Sequence, residues 1–122
     1  MVFGKVAEGP SILKRDGLYY LLYSANDFRS QDYAVGYATS DSPFGPWKKN
    51  SKNPLLHKVD ELVGTGHGAP FADKDGNLRY IFHAHKSQTE VNQRNSYIVD
   101  MSLSGKDQVS IGGGLIRPAV VK

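Results

Sequence analysis

The sequence predicts an all-β fold, built from antiparallel sheet units in tandem, on three observations. Short aromatic-rich runs recur along the 122 residues, each bounded by turn-forming residues. No window of about eleven residues or more carries a helical period. An Asp-Gly pair, Asp16-Gly17, returns 59 positions later as Asp75-Gly76, inside a matching strand pattern.

The elements follow in order. Leu18–Ser24 (LYYLLYS) lies between Asp16-Gly17 and Asn26-Asp27. It is apolar on both faces, as a strand covered on both sides is. Tyr33–Ser40 (YAVGYATS) is the next strand. Pro43–Pro54 is rich in Pro, Gly and Lys and reads as a loop between units. Leu78–His85 (LRYIFHAH) follows Asp75-Gly76, and Ser96–Met101 (SYIVDM) follows a polar stretch. Tyr19, Tyr20, Tyr23, Tyr37 and Phe82 are assigned to the core.

The same offset aligns Gly9 with Gly68, Ile12 with Phe71, Leu13 with Ala72 and Tyr23 with Phe82. Each copy reads as a glycine, a short strand, an Asp-Gly turn, an aromatic strand, a loop and a third strand. Four-stranded antiparallel units set around an axis make a propeller, whose innermost strands line a central channel. The offset also aligns Glu8 with His67, each the last polar side chain before an inner strand. Both are therefore expected to face one axial opening from adjacent blades.

Composition removes several functions. The absence of cysteine excludes disulfides, thiol catalysis and Cys-rich zinc sites. No stretch approaches the roughly 18–20 apolar residues of a membrane span, so no membrane partner is expected. The formal charge of +3 invites a nucleic-acid reading, but the basic residues are scattered singly or in pairs. They read as solvated surface, and no nucleic-acid partner is expected. Met1-Val2-Phe3-Gly4 lacks the basic and apolar regions of a signal peptide, which leaves localisation open.

Three motifs are set aside. Gly64-Thr65-Gly66-His67-Gly68-Ala69 matches a dinucleotide fingerprint, but Pro70 and a strand follow where a helix is required. His83 and His85 alternate on one strand without a third ligand at a suggestive spacing, and read as sharing a strand face. Ser24 and Ser40 end strands and lack a nucleophile elbow.

Six pieces stand in a fixed order: Glu8-Gly9-Pro10, Tyr19–Ser24, Tyr33–Ala38, Ser42-Pro43-Phe44-Gly45-Pro46-Trp47, Asn53-Pro54-Leu55-Leu56 and Gly64–Gly68. Together, over Val6 to Met101, they resemble glycoside hydrolase family 43. That family contains β-xylosidases, α-L-arabinofuranosidases and arabinanases. They are five-bladed propellers that invert at the anomeric carbon, with an Asp base, a second Asp and a Glu acid. The resemblance implies about two of the five blades here: residues 6–54 as the acid-bearing blade, and 55–122 as a second blade with a closing segment. It implies that the parent acts on xylan- or arabinan-type carbohydrate.

Glu8 matches the family's general acid, which must keep its proton near neutral pH. His67 matches a histidine that in several members faces the channel and helps hold a water or a calcium ion. Any such ion would be held mainly through waters, since calcium prefers oxygen, and no cofactor is required. Tyr33, Phe28 and Arg29, around the loop after the acid-bearing strand pair, are candidate sugar contacts. Both family Asp residues lie upstream of the acid, and no acidic residue precedes Glu8 here. The isolated chain is therefore expected to be inactive. Asp27, Asp32 and Asp41 are assigned to turns. The alternative is a carbohydrate-binding or interaction module without chemistry. Blades cut from a ring expose apolar faces, for which Leu22, Val35 and Ile98 are the candidates. Self-association or pairing with further blades is expected, with the tail Gly112–Ile116 as an edge strand.

Overall fold

The computed structural model describes residues 7–119, all of whose regular elements are strands. They are β1 (Ala7–Arg15), β2 (Leu18–Ala25), β3 (Ala34–Ser40), β4 (Lys48–Lys49), β5 (Gly66–Ala72), β6 (Leu78–Ala84), β7 (Asn95–Gly105) and β8 (Gln108–Ile111). They form two four-stranded antiparallel sheets in simple sequence order, β1-β2-β3-β4 and β5-β6-β7-β8. These are two blades of a propeller, as the repeat predicts.

Turn chemistry sets the register of each blade. Arg15 pairs with Leu18, so Asp16-Gly17 is a two-residue hairpin loop. Both residues have positive φ, 52° and 80°, the backbone of a type I′ turn. The second copy differs. Asp73 N–H donates to the Asn77 carbonyl and Gly76 N–H to the Asp73 carbonyl, giving a longer turn with Gly76 alone at positive φ, 82°. The Asp73 carboxylate caps it, accepting from the backbone N–H of Asp75 and of Asn77.

β1 and β5 each carry a bulge at the same point of the repeat, between Glu8 and Ser11 and between Gly66 and Ala69. A bulge bends the strand and re-aims the side chains beside it. In β5 the glycine is sterically required: a Cβ on Gly68 would lie 2.0 Å from the Ile81 carbonyl oxygen.

One core joins the blades. β2 alternates buried and half-buried residues, and its buried side, Leu18, Tyr20 and Leu22, packs in one cluster with Tyr80, Phe82, Tyr97 and Val99 of the second blade. Hydrogen bonds fasten the outer end: Tyr37 donates to the Asp107 carbonyl and Asp107 N–H donates to the Tyr20 hydroxyl. Between the sheets, Val35 and Leu56 form a β-bridge and His85 N–H donates to the Val63 carbonyl, which ties the connecting segment to both blades.

Several expectations need correction. Pro43–Pro54 is not only a loop, because it contains β4. That strand is two exposed lysines long, too short to leave a period, and lysine suits a sheet edge. Leu22 and Val35 are fully buried between the blades and are not on an exposed face. The outward face of the first blade instead presents Leu21, Tyr23, Ala38 and Trp47 around a groove of about 310 Å³, and Tyr19 and Tyr23 are half-buried rather than core. The tail does pair along an edge, and within this chain. Ile116 forms a bridge with Ile98, so residues 112–116 continue along the β7 edge where β8 ends.

Candidate active site

Glu8 and His67 are second in their strands, β1 and β5, which the repeat placed in register. Their side chains meet: His67 Nδ1 is 3.9 Å from Glu8 Oε1, and the two are 53% and 38% exposed. The opening into which both point therefore remains open to water.

Tyr33 closes the geometry. Its hydroxyl donates to Glu8 Oε1 at 2.8 Å and lies 3.4 Å from His67 Nδ1. Its one proton goes to the carboxylate, so toward His67 the phenol oxygen accepts. Burial, then the bond to Glu8, raises the Tyr33 hydroxyl's pKa, which keeps it a donor across the ordinary pH range. The ring is completely buried, so Tyr33 offers no face on which a sugar could stack. Its place as a sugar platform is corrected to that of a hydrogen-bond donor to Glu8.

Backbone strain holds His67 in place. Its φ is +50°, a left-handed conformation that costs a non-glycine residue of order 1–3 kcal/mol and clusters at functional sites. Its N–H donates to Ser24 Oγ at 2.5 Å, across the blade boundary. Gly9, also at positive φ, lies against its ring, where a Cβ would come within 3.3 Å. Gly66 makes room for Tyr33, whose ring would be 2.6 Å from a Cβ there.

The remaining candidates lie around the β2–β3 loop. Arg29 pairs with Asp27 at 2.7 Å, and that hydrogen bond holds the Asp27 carboxyl down at about 2. Arg29 is thus engaged within its own turn. Phe28 is half-buried, with the Arg94 guanidinium 4.4 Å from its ring centre and its carbonyl 2.6 Å from His85 Nε2.

Two residues escaped the sequence reading. His83 was set aside with His85 as sharing a strand face. His85 is buried, whereas the His83 ring stacks on both Tyr33 and His67, at centroid distances of 5.7 and 6.0 Å. Arg94 stands 3.4 Å from His83 Nε2. The signal for His83 was present: an offset of 59 pairs it with Ser24, and both touch His67. Arg94 immediately precedes β7 as Tyr33 precedes β3, but the loops before them differ in length by two residues, so the offset of 59 does not align the two.

Among the described residues, no three His, Cys, Asp or Glu side chains converge as a metal group would need. Calcium takes six to eight oxygens, and His67 brings one nitrogen. These residues do not by themselves fit a calcium ion.

A family model for glycosyl hydrolases family 43 matches residues 2–106. The chain is 34% identical over 76 residues to the β-D-galactofuranosidase xynD of Aspergillus niger, covering 62% of this chain and 22% of that protein. Among solved structures it is similar to an endo-1,4-β-xylanase of Bacteroides thetaiotaomicron, with 58% identity, a TM-score of 0.90, and coverage of 96% of this chain and 41% of the other. A thermostable family-43 glycoside hydrolase matches at 33% identity and a TM-score of 0.84, with 96% and 38% covered. The chain thus spans about a fifth of the curated relative and about two-fifths of these solved chains.

Proposed function

Because this chain belongs to glycosyl hydrolases family 43, we propose that Glu8 is the general acid of an inverting glycosidase acting on xylan- or arabinan-type chains. The observation that carries this reading is the Glu8 carboxyl held at a shared opening by Tyr33, just before β3, and His67 of β5. Oε1 is the oxygen that both partners meet, which assigns the transferable proton to Oε2. An inverting mechanism also needs a carboxylate base on the far side of the sugar, about 6.5–9.5 Å from the acid, with a water between them. No described residue is assigned that part, and it belongs to blades upstream of β1. The 58% identity to an endo-1,4-β-xylanase favours β-1,4-xylan over arabinan.

In a polypeptide with those upstream blades in place, Glu8→Gln is expected to lower kcat about 10²-fold or more on xylosides with poor leaving groups. It should cost far less on dinitrophenyl xyloside, whose leaving group needs no proton. Equal losses on both would overturn the acid assignment. The anomer released first, read by NMR, checks inversion. The 122-residue chain alone is expected to show no turnover on either substrate. Turnover abolished by Glu8→Gln would place the base within it.

A further inference from the structure

Three rings lie together in the site, and only two of them reach Glu8. Tyr33 donates to its Oε1, and His67 stands behind that hydroxyl at 3.4 Å. The third ring, His83, touches both, nearly parallel to Tyr33 at 18° and to His67 at 20°. We propose that His83 is a positioning residue: its ring is the floor that fixes Tyr33 and His67, and through them the Glu8 carboxyl. This rests on Glu8 being the reacting acid and adds a residue to that reading.

The His83 ring packs against both upper rings. Gly66 and the β2 strand confine Tyr33 on one side. Gly9 confines His67, and the Ser24 hydroxyl holds its backbone rather than its ring. His83, the β6 partner of Gly66, adds its ring to the surface against which both rings pack. A tyrosine hydroxyl about 6.5 Å from its Cα moves by about an ångström when the side chain swings roughly 10° about χ1, and misplacement on that scale costs about 10²-fold in rate.

His83 is itself fixed. Arginine only donates, so the Arg94 contact at 3.4 Å makes Nε2 the acceptor. The ring is then neutral with its proton on Nδ1. Arg94 is backed in turn by the Phe28 ring. The line Phe28, Arg94, His83 forms a wall that no single strand could build, since its members come from the β2–β3 loop, the segment before β7, and β6. The repeat supports the placement: Ser24 and His83 are equivalent positions of the two blades, and each touches His67.

The test uses substitutions that separate stacking from hydrogen bonding. His83→Phe keeps a flat ring and loses the acceptor. His83→Asn keeps a polar group and loses the stack. His83→Ala loses both. In the polypeptide with upstream blades, His83→Ala and His83→Asn are expected to lower kcat about ten- to a hundredfold with KM changed less than about threefold. His83→Phe should stay within about threefold of the parent kcat. The losses in the double variant His83→Ala/Tyr33→Phe should be less than additive, because the Tyr33 hydroxyl is one of the two routes from His83 to Glu8. An unchanged kcat in His83→Ala, recovery by Asn rather than Phe, or additive losses in the double variant would each overturn the proposal. NMR of the 122-residue chain supplies a readout independent of turnover. The Tyr33 and His67 ring resonances should shift in His83→Ala and hold closer to the parent in His83→Phe. Should the parent show no glycosidase activity at all, the functional reading fails while this arm still decides whether His83 holds the two rings.

Discussion

At the scale of single residues, the site depends on a donor. Tyr33 gives the Glu8 carboxyl a hydrogen bond, a class worth about 0.5–1.5 kcal/mol. Tyr33→Phe removes that bond and leaves the buried ring in place. We expect kcat in the ring-complete enzyme to fall about 10- to 100-fold, with thermal unfolding of the chain little changed. A fall in stability without a fall in kcat would assign Tyr33 to packing alone. His83 gives a second residue-scale prediction. Burial first, then the charge of Arg94 and the neighbouring His67 and His85, hold its imidazole down at about 4. That lies below the ordinary value near 6.5. The folded chain therefore binds fewer protons than the unfolded chain between these two values. Its contribution to stability is complete above pH 6.5 and is lost as pH falls toward 4. An NMR titration should find a His83 midpoint near 4. The denaturation midpoint should drop between pH 7 and pH 4.5, and less so in His83→Phe. A His83 midpoint near 6.5 would sink this account.

At the scale of elements, the glycines of β5 carry more than the sequence pattern conveys. Gly68 sits at the bulge, with no room for a methyl group against the Ile81 carbonyl. Gly68→Ala should destabilise the second blade by about 1–3 kcal/mol or more, whereas Gly17→Ala at the exposed hairpin should cost only about 1 kcal/mol. Equal losses in a denaturant titration would mean that β6 moves aside freely. The contrast shows what the sequence could reveal. The Asp-Gly turns, the aromatic strands and the pairing of Glu8 with His67 were legible, because hairpin turns and period-two strands are local signals and the repeat carried them from one blade to the next. β4 and β8 were not, since edge strands of two and four residues gain their order from a neighbour rather than from their own pattern. Tyr33 was misassigned and the part played by His83 was missed for a related reason. A tyrosine at a loop end looks like a sugar contact, and a histidine sharing a strand face says nothing of its neighbours, until the second blade is packed against the first. Which ring is buried is decided at the blade interface, and a single strand's pattern does not encode it.

At the scale of the whole molecule, the two blades share one core and leave apolar residues exposed on the outward face of each, Ile12 on the first and Ile81 and Ile116 on the second. The chain presents 7673 Å² to solvent, against about 6,500 Å² for a compact monomer of its mass. One of the two outward faces lies beside the site. Ile12 pairs across the strands with Leu21, so both project from the outward face of the first blade. Ile12 is 52% exposed, and Leu21, Tyr23, Ala38 and Trp47 line the groove beside it. Glu8 lines that groove, so whatever covers the face also sits next to the proposed acid. In a complete ring the covering element is the preceding blade, the part of the enzyme to which the base is assigned. We therefore expect the isolated chain to self-associate through this face, and expect Ile12→Lys to reduce that association without lowering the unfolding temperature by more than a few degrees, since Ile12 contributes little to the shared core. Light scattering across a concentration series reads the first outcome, and the same series on Ile12→Lys reads the second. Upstream blades supplied as a separate polypeptide should compete with self-association and restore glycosidase activity in trans. A chain that stays monomeric at high concentration, unfolds cooperatively and ignores the upstream blades would show that its outward face is stable in water, and the split-ring account would have to be given up.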